Sequence, residues 1–183
     1  GRGVDKLELE RVGAVAAYTL DGESPGEIDW ETFSADGAVV EIRGVASHPG
    51  WAKGVMVNAL RLAGRFVASL PMECSPERTA DRDGFVHPTE ISGNSERATV
   101  RLILRDFELD GLAAKRAVVE RAVAELRAVE PWAQIEVRFT EQYRNMRYWL
   151  ENDMRAVELA QAAVRACGLE PKLRSVRGGT DGS

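Results

Sequence analysis

The sequence predicts an α+β fold in which four strands and two helices follow the order strand, helix, strand, strand, helix, strand. Three observations support this. Apolar residues alternate in several short stretches, two longer stretches repeat apolar residues every three or four positions, and Pro71 and Pro131 close those two stretches. The order is that of the ferredoxin-like βαββαβ arrangement, in which two helices cover one face of a four-stranded antiparallel sheet.

The first strand and helix of this unit are predicted over residues 37–70. Val40 and Ile42 alternate with Glu41 and Arg43, which is the period of a half-buried strand. A helix then follows over residues 53–70, and its apolar stripe consists of Met56, Ala59, Leu60, Ala63, Phe66, Val67 and Leu70.

The second half contributes two strands, a helix and a last strand. Residues 85–91 and 98–107 read as strands around a turn at residues 93–96. Asp110 is the expected N-cap of a helix that runs to about Val129. The apolar stripe of this helix is Leu112, Val119, Ala122, Val123 and Leu126. The last strand alternates through Ile135, Val137 and Phe139.

Shorter segments flank this unit on both sides. Residues 12–20 are apolar and predict a buried strand that places Asp21 at its C-terminal end, and residues 27–33 predict a short return strand. We expect these flanks to pack on the central unit or to stay mobile, because neither is large enough to fold alone.

On the C-terminal side, Asp153 is the predicted N-cap of a helix that ends at Gly168. The apolar positions of this helix are Ala156, Leu159, Ala160, Ala163 and Val164. A strand over residues 172–176 would deliver Arg177 to a loop.

The composition excludes some classes of binding partner. The 183 residues are 44% hydrophobic and 29% charged, and the net charge of −5 is spread over interspersed residues, so there is no basic face for nucleic acid or an anionic membrane. No apolar run reaches the about 20 residues of a membrane span, and residues 1–6 lack the apolar core of a signal peptide. Cys74 and Cys167 stand alone, which favours a reducing cytoplasm.

Four residues could carry chemistry, and each also has a plainer interpretation. Asp21 follows a predicted strand and could bind a metal, or it could be a turn residue. His48, before Pro49, is an exposed imidazole that could be catalytic or an ordinary loop histidine. Arg105 could bind substrate or pair with its neighbour Asp106.

The fourth of these residues is Arg177, which precedes two glycines. Its planar fork could hold a carboxylate, or it could lie in a flexible tail.

Three separated signatures occur in a characteristic order: Tyr-Thr-Leu-Asp-Gly at residues 18–22, His-Pro-Gly-Trp-Ala-Lys-Gly at 48–54 and Arg-Gly-Gly-Thr-Asp-Gly at 177–182. Together with Arg-Asp-Phe at 105–107, they resemble the peptidase T family of two-zinc tripeptide aminopeptidases over essentially the whole chain. Trp51 replaces the small residue expected after His-Pro-Gly, which leaves the side-chain preference open.

The resemblance implies a role for each candidate. Asp21 would bind one of two zinc ions, and His48 would stabilise the oxyanion of the tetrahedral intermediate. Arg105 and Asn145 would contact the substrate, and Arg177 would hold the C-terminal carboxylate of a tripeptide.

The resemblance also implies an architecture. Residues 33–142 would form a lid that makes a homodimer, inserted between α/β zinc-peptidase catalytic-domain segments at 1–32 and 143–183. The family's other metal ligands and its general base have no counterpart here. We therefore expect an inactive fragment in which zinc is absent or weakly bound.

Two other classes of function remain open. The chain could be a non-catalytic ferredoxin-like dimerisation or binding module. It could also belong to another zinc exopeptidase of the same clan, such as a carboxypeptidase, or to a deacylase, because His-Pro-Gly is shared more widely.

Overall fold

The computed structural model describes residues 8–20, 22 and 24–180. Its helices are α1 (Leu9–Val12), α2 (Ala59–Ser69), α3 (Leu109–Val129), α4 (Arg147–Leu150) and α5 (Arg155–Ala166). Its strands are β1 (Glu27–Thr32), β2 (Ser34–Arg43), β3 (Phe85–Gly93), β4 (Arg97–Asp106), β5 (Gln134–Tyr143) and β6 (Lys172–Val176). No helix within these ranges is long and apolar enough to cross a membrane.

The larger sheet has four strands in the order β3-β4-β2-β5, and every neighbouring pair is antiparallel. With α2 between β2 and β3 and α3 between β4 and β5, this is the predicted ferredoxin-like arrangement. Val40 lies opposite Val100 on one side and Val137 on the other, so one face is apolar, as the alternation predicted. The fold class is confirmed.

Both long helices cover this apolar face, and the opposite side of the sheet is called the open face below. The predicted stripe of α3 is buried in full. Phe66 of α2 and Val119 of α3 are completely buried with the core side of the sheet. Burial of side chains of this size contributes about 1.5 to 3 kcal/mol each.

The first long helix starts later than predicted. Residues 53–57 form a turn and a short bridge between Val45 and Val57, and α2 begins after Asn58, whose Oδ1 accepts the backbone N–H of Arg61. The predicted stripe was partly wrong: Leu60 is exposed and Leu62 is buried instead.

Two predicted caps were off by one or two residues. The capping position of α3 is Glu108, and Asp110 lies in the first turn. The capping position of α5 is Met154, although the Oδ1 of Asp153 accepts the N–H of Arg155. Gly168, with φ of 75°, follows α5 in the left-handed conformation, as expected at a helix C-terminus.

The smaller sheet pairs β1 with β6 in parallel. The chain passes from β1 of this sheet into β2 of the larger sheet through one residue. Phe33 alone separates β1 from β2, and it is completely buried. Its ring centroid lies 4.4 Å from that of Phe107 and 5.7 Å from that of Phe85. The backbone N–H of Phe33 is shared between the carbonyls of Val176 and Gly178, so the end of β6 is fixed to this pivot.

The predicted strand over residues 12–20 is wrong. These residues are exposed, and they form no strand and pair with neither sheet. Val15 and Leu20 are 93% and 98% exposed. The segment is held near α5 by Tyr18, whose hydroxyl donates a 2.7 Å hydrogen bond to the carbonyl of Ala156.

Candidate functional site

One row of residues crosses the open face at the end of the four-stranded sheet nearest the pivot. Phe85, Arg105, Ala35 and Tyr143 lie side by side on β3, β4, β2 and β5. Because Ala35 is small, the Arg105 guanidinium reaches across it to lie 5.5 Å from the centre of the Tyr143 ring. This set is called the end row below.

Arg105 does not form the ion pair that its sequence neighbour suggested. Asp106 points to the other face and pairs with Lys115 at 3.2 Å. Arg105 donates hydrogen bonds to the carbonyls of Asp36 and Leu104 instead. These two contacts fix the direction of the guanidinium on the open face.

Arg177 lies above the same row, and the alternative of a flexible tail is wrong. Its guanidinium donates to the carbonyls of Asp81 and Asp83, both at 2.9 Å, and to the hydroxyl of Thr79 at 3.0 Å. It also lies 5.3 Å from the Phe33 ring and 6.0 Å from the Phe85 ring. Arg105 and Arg177, which are 72 positions apart in the sequence, therefore lie at the same end of the sheet, since Arg177 is next to the Phe85 ring and Phe85 pairs with Arg105.

The loop that follows Arg177 packs on Tyr143. A methyl group at Gly179 would lie 2.7 Å from Cζ of the Tyr143 ring, so only glycine fits without movement. Burial raises the pKa of the Tyr143 phenol, and the nearby positive charge of Arg105 opposes part of that rise. The hydroxyl is therefore neutral at neutral pH.

Asn145 is completely buried beneath the end row. Its Oδ1 accepts the N–H groups of Thr32 and Arg147, and its Nδ2 donates to the carbonyl of Phe107 and to Glu31. All of these partners are protein groups. The predicted contact with substrate stays a prediction, and the visible role of Asn145 is to hold the connection between the two sheets.

Glu31 is a buried carboxylate at this connection, and charged and polar side chains surround it. Arg82 binds it with two hydrogen bonds of 2.8 and 2.9 Å, and Ser175 donates a third. Asn145 and Arg147 approach its Oε1 atom. We call Glu31, Arg82, Asn145, Arg147 and Ser175 the junction cluster. The hydrogen bonds from Arg82 lower the pKa of Glu31 from 4.5 to about 2, although burial acts in the opposite direction.

His48 lies at the opposite end of β2, in an exposed loop. It caps a short 3₁₀ turn over Pro49–Trp51, and its Nδ1 accepts the N–H of Gly50 at 3.1 Å. When Nδ1 is an acceptor, the proton of the neutral imidazole is on Nε2. The loop therefore presents an N–H donor to solvent, which is the geometry that an oxyanion contact requires.

The two ends of β2 are too far apart for one small substrate. Ala35 of the end row and Arg43 near the His48 loop are eight residues apart on one strand, which corresponds to about 26 Å. A fully extended tripeptide spans only about 10 Å. His48 and Arg177 of one chain therefore cannot hold the same tripeptide.

An open hollow lies on the other side of the junction, between the β1–β6 pair, α5 and residues 17–20 and 22. Its apolar lining includes Leu159 and Trp149, which are 66% and 65% exposed. The segments that carry the first and last sequence signatures both contribute to it, through Tyr18 and Gly179. Two signatures from opposite ends of the chain thus border the same hollow.

The predicted metal ligand, Asp21, lies outside the described residues. Across the ranges that the structure describes, no three His, Cys, Asp or Glu side chains come close enough to hold a metal ion. The donor set present there does not fit a metal centre, and no chemical step is assigned to one. His87 is a residue of β3.

Three residues of this region were not predicted: Tyr143, Glu31 and Arg82. Tyr143 had a local signal, since it begins the run Tyr-Arg-Asn-Met that contains Asn145. Acidic residues occupy every second position of this strand, at Glu27, Asp29 and Glu31, and this pattern is typical of a solvated face. No local signal could pair it with Arg82, which is 51 positions away.

The pattern of a known family matches most of the four-stranded unit. Residues 31–134 match the Peptidase dimerisation domain of the M20 peptidases, which is more than half of the chain. The chain belongs to this family.

Curated relatives give a more specific likeness. The chain is 46% identical to a protein named Peptidase T from Aeromonas salmonicida and 44% identical to one from Aeromonas hydrophila, over all 183 residues in each case. It spans 45% of the length of each of these relatives.

Solved structures share the fold of the chain. An aminopeptidase PepT from Bacillus cereus has a TM-score of 0.77 at 21% identity, covering 98% of this chain and 48% of that one. A tripeptidase from Staphylococcus aureus has a TM-score of 0.76 at 19% identity, covering 99% and 48%. A Bacillus subtilis protein described as a dinuclear metal binding peptidase from the M20 family has a TM-score of 0.55 at 17% identity, covering 88% and 38%.

The charge of Glu31 predicts a pH dependence of stability. Its folded pKa is lowered, so its contribution is fully present above about pH 4.5 and is lost as the pH falls toward 2. We expect Glu31→Gln to lower the free energy of unfolding at pH 7 by about 2 kcal/mol. This is below the about 3 to 5 kcal/mol typical of a broken buried pair, because the Arg82 side chain is 53% exposed.

Urea denaturation between pH 2 and 7 tests this, with Glu125→Gln on the exposed side of α3 as the matched control. The gap between the wild type and Glu31→Gln should narrow as the pH falls below 4.5. A gap that is the same at every pH would contradict the assignment.

Proposed function

We propose that this chain is the lid and adjoining substrate-binding part of a metal-dependent aminopeptidase that releases the N-terminal residue of tripeptides. The observation that carries the proposal is the meeting of Arg105 and Arg177, from two separate signatures, at the end row. The likeness to proteins named Peptidase T supports it. The proposed division is a lid at residues 33–142 between catalytic-domain segments at 1–32 and 143–183.

Arg177 and Arg105 would bind the C-terminal carboxylate of the substrate. Within the described residues, the hydrogen bonds of Arg177 to Thr79, Asp81 and Asp83 use three of its five N–H donors. The guanidinium is thus held in place with donors to spare. A charge-assisted contact of this kind contributes about 1.5 to 3 kcal/mol to binding.

His48 would donate a hydrogen bond from Nε2 to the carbonyl oxygen of the scissile peptide as negative charge develops there. Since strand β2 alone separates the end row from the start of the His48 loop by about 26 Å and a tripeptide spans about 10 Å, the donor would come from a second copy of the chain. A homodimer formed through the four-stranded unit fits the family to which the chain belongs.

The remaining parts of the proposal concern the metal and the location. Zinc is the proposed metal of the enzyme, with Asp21 as one ligand, and the other ligands would come from residues that match the rest of the relatives' length. The exposed apolar lining of the hollow supports such a completion, because paired parallel strands are normally covered on both faces. Two unpaired cysteines, Cys74 and Cys167, support a cytoplasmic location.

A second candidate is a dimerisation module without catalysis. It is favoured by the match of residues 31–134 to a dimerisation domain and by the complete packing of that unit around its own core. In that case the end row would be a structural feature and would bind no peptide.

A chimera separates these candidates. We expect tripeptide hydrolysis when this chain replaces the matching 45% of the Aeromonas salmonicida relative, and no turnover by the 183-residue chain alone with added zinc. In the chimera, Arg177→Ala should raise KM about ten- to a hundredfold, because a charge-assisted contact is lost. Arg165→Ala, in the exposed last turn of α5, is the matched control.

Activity is measured by release of the N-terminal amino acid. Two results would count against the proposal: a folded chimera that cleaves no tripeptide, and appreciable turnover by the isolated chain.

The placement of His48 predicts complementation between subunits. His48→Ala in the chimera should lower kcat about a hundred- to a thousandfold. Co-expressed His48→Ala and Arg177→Ala chimeras should regain about a quarter of the wild-type sites, because half of the dimers are mixed and each has one intact site.

The measurement is the specific activity of the co-expressed mixture at a substrate concentration below the wild-type KM, where Arg177→Ala homodimers contribute little because their KM is raised. Separately purified variants that are mixed without subunit exchange are the control. Absence of recovery in verified mixed dimers would mean that His48 does not act across subunits.

A further inference from the structure

Tyr143 reaches the open face through an irregularity in β5. The regular register pairs Gly37 with Thr140 and Asp36 with Glu141, which would place Gln142 opposite Ala35. A bulge between Ala35 and Asp36 places Tyr143 there instead. Bulges of this kind redirect a side chain, and they are common beside active sites.

Once on the open face, the Tyr143 ring touches both parts of the predicted carboxylate site. The Arg105 guanidinium lies 5.5 Å from the ring centre, with only the small Ala35 between their strands. On the other side, Gly179 is so close that an added methyl group would be 2.7 Å from the ring. The ring therefore lies between Arg105 and the loop that carries Arg177.

We propose that Tyr143 is a positioning residue that sets the spacing of the Arg105 and Arg177 guanidiniums, and thereby selects peptides that end in a free carboxylate. This inference rests on the proposed function. The ring restricts the backbone at Gly179, and Phe33 and Phe85 restrict the Arg177 guanidinium. Two fixed guanidiniums bind an anion better than two mobile ones, because less conformational entropy is lost on binding.

Packing alone would give a different result from positioning. If Tyr143 only fills space, its loss should weaken the enzyme toward every peptide. If it sets the spacing of two cations, its loss should weaken binding of a peptide acid and leave the peptide amide nearly unchanged, because the amide has no charge for the cations to hold.

The test uses the chimera and one tripeptide in two forms, with a C-terminal carboxylate and with a C-terminal amide. We expect Tyr143→Leu to raise KM for the acid about tenfold, and to lower the acid-to-amide ratio of kcat/KM by the same factor. Tyr143→Phe keeps the ring and should keep the ratio. Tyr148→Leu, which removes a hydroxyl bonded to the Phe107 carbonyl, is the matched control and should affect both peptides alike.

Gly179→Ala tests the same contact without removing the tyrosine. The backbone of Gly179 does not have a positive φ, so the added methyl group acts through the Tyr143 ring, and it should lower the acid-to-amide ratio as Tyr143→Leu does. Equal losses for acid and amide in both variants would overturn the positioning role while leaving the proposed function intact. A folded, unsubstituted chimera that cleaves neither peptide would overturn the proposed function, and the carboxylate role with it.

Discussion

The arrangement of this molecule depends on the ionic contact between Glu31 and Arg82 at the junction of its two sheets. The backbone passes from the small parallel sheet to the four-stranded sheet through Phe33 alone, and it returns through the short stretch after Tyr143. Two such connections would leave an interdomain hinge if nothing else joined the sheets. Glu31 is the central restraint, beside the contacts of Phe33 and Arg177, because one buried carboxylate binds the loop before β3 through Arg82, β6 through Ser175 and the return segment through Asn145. Such a group is stabilising only while its partners satisfy it, since an unpaired buried charge is costly.

The junction cluster determines where Arg177 lies. This residue follows β6, and β6 is aligned with β1 as far as Val176, beside the pivot at Phe33. The Arg177 guanidinium therefore lies over the rings of Phe33 and Phe85, at the end row that contains Arg105 and Tyr143. The same geometry sends His48 to the far end of β2, beyond the reach of any tripeptide held at the end row. If one tripeptide contacts both Arg177 and His48, the two residues must come from different copies of the chain. The proposed catalysis therefore depends on dimer formation.

Local periodicity predicted most of the fold and little of the site. The stripe of α3 was predicted residue by residue, because 3.6-residue spacing decides which side chains face a sheet. Leu60 and Leu62 show where that reasoning is weak: they lie on opposite edges of the same stripe, and packing against the rest of the core decides that Leu62 is the buried one. Residues 12–20 show a second weakness, since an apolar run predicts burial and does not identify the strand that would pair with it. The convergence of Arg105 and Arg177 depends on strand register, and the place of Tyr143 beside Arg105 depends on a bulge in the β2–β5 pairing; both are tertiary features. Glu31 was concealed among acidic residues at every second position, a pattern that resembles a solvated edge.

Native-state hydrogen exchange of the β6 amides tests most directly whether the junction cluster joins the two sheets into one body. In the wild-type chain, we expect the amides of Lys172–Val176 that bond to β1 to have protection factors within a few powers of ten of those of the β2 amides. We expect Glu31→Gln to speed their exchange selectively while the β2 amides stay protected. Fast exchange of β6 in the wild type, or equal loss of protection in both sheets of the variant, would contradict it.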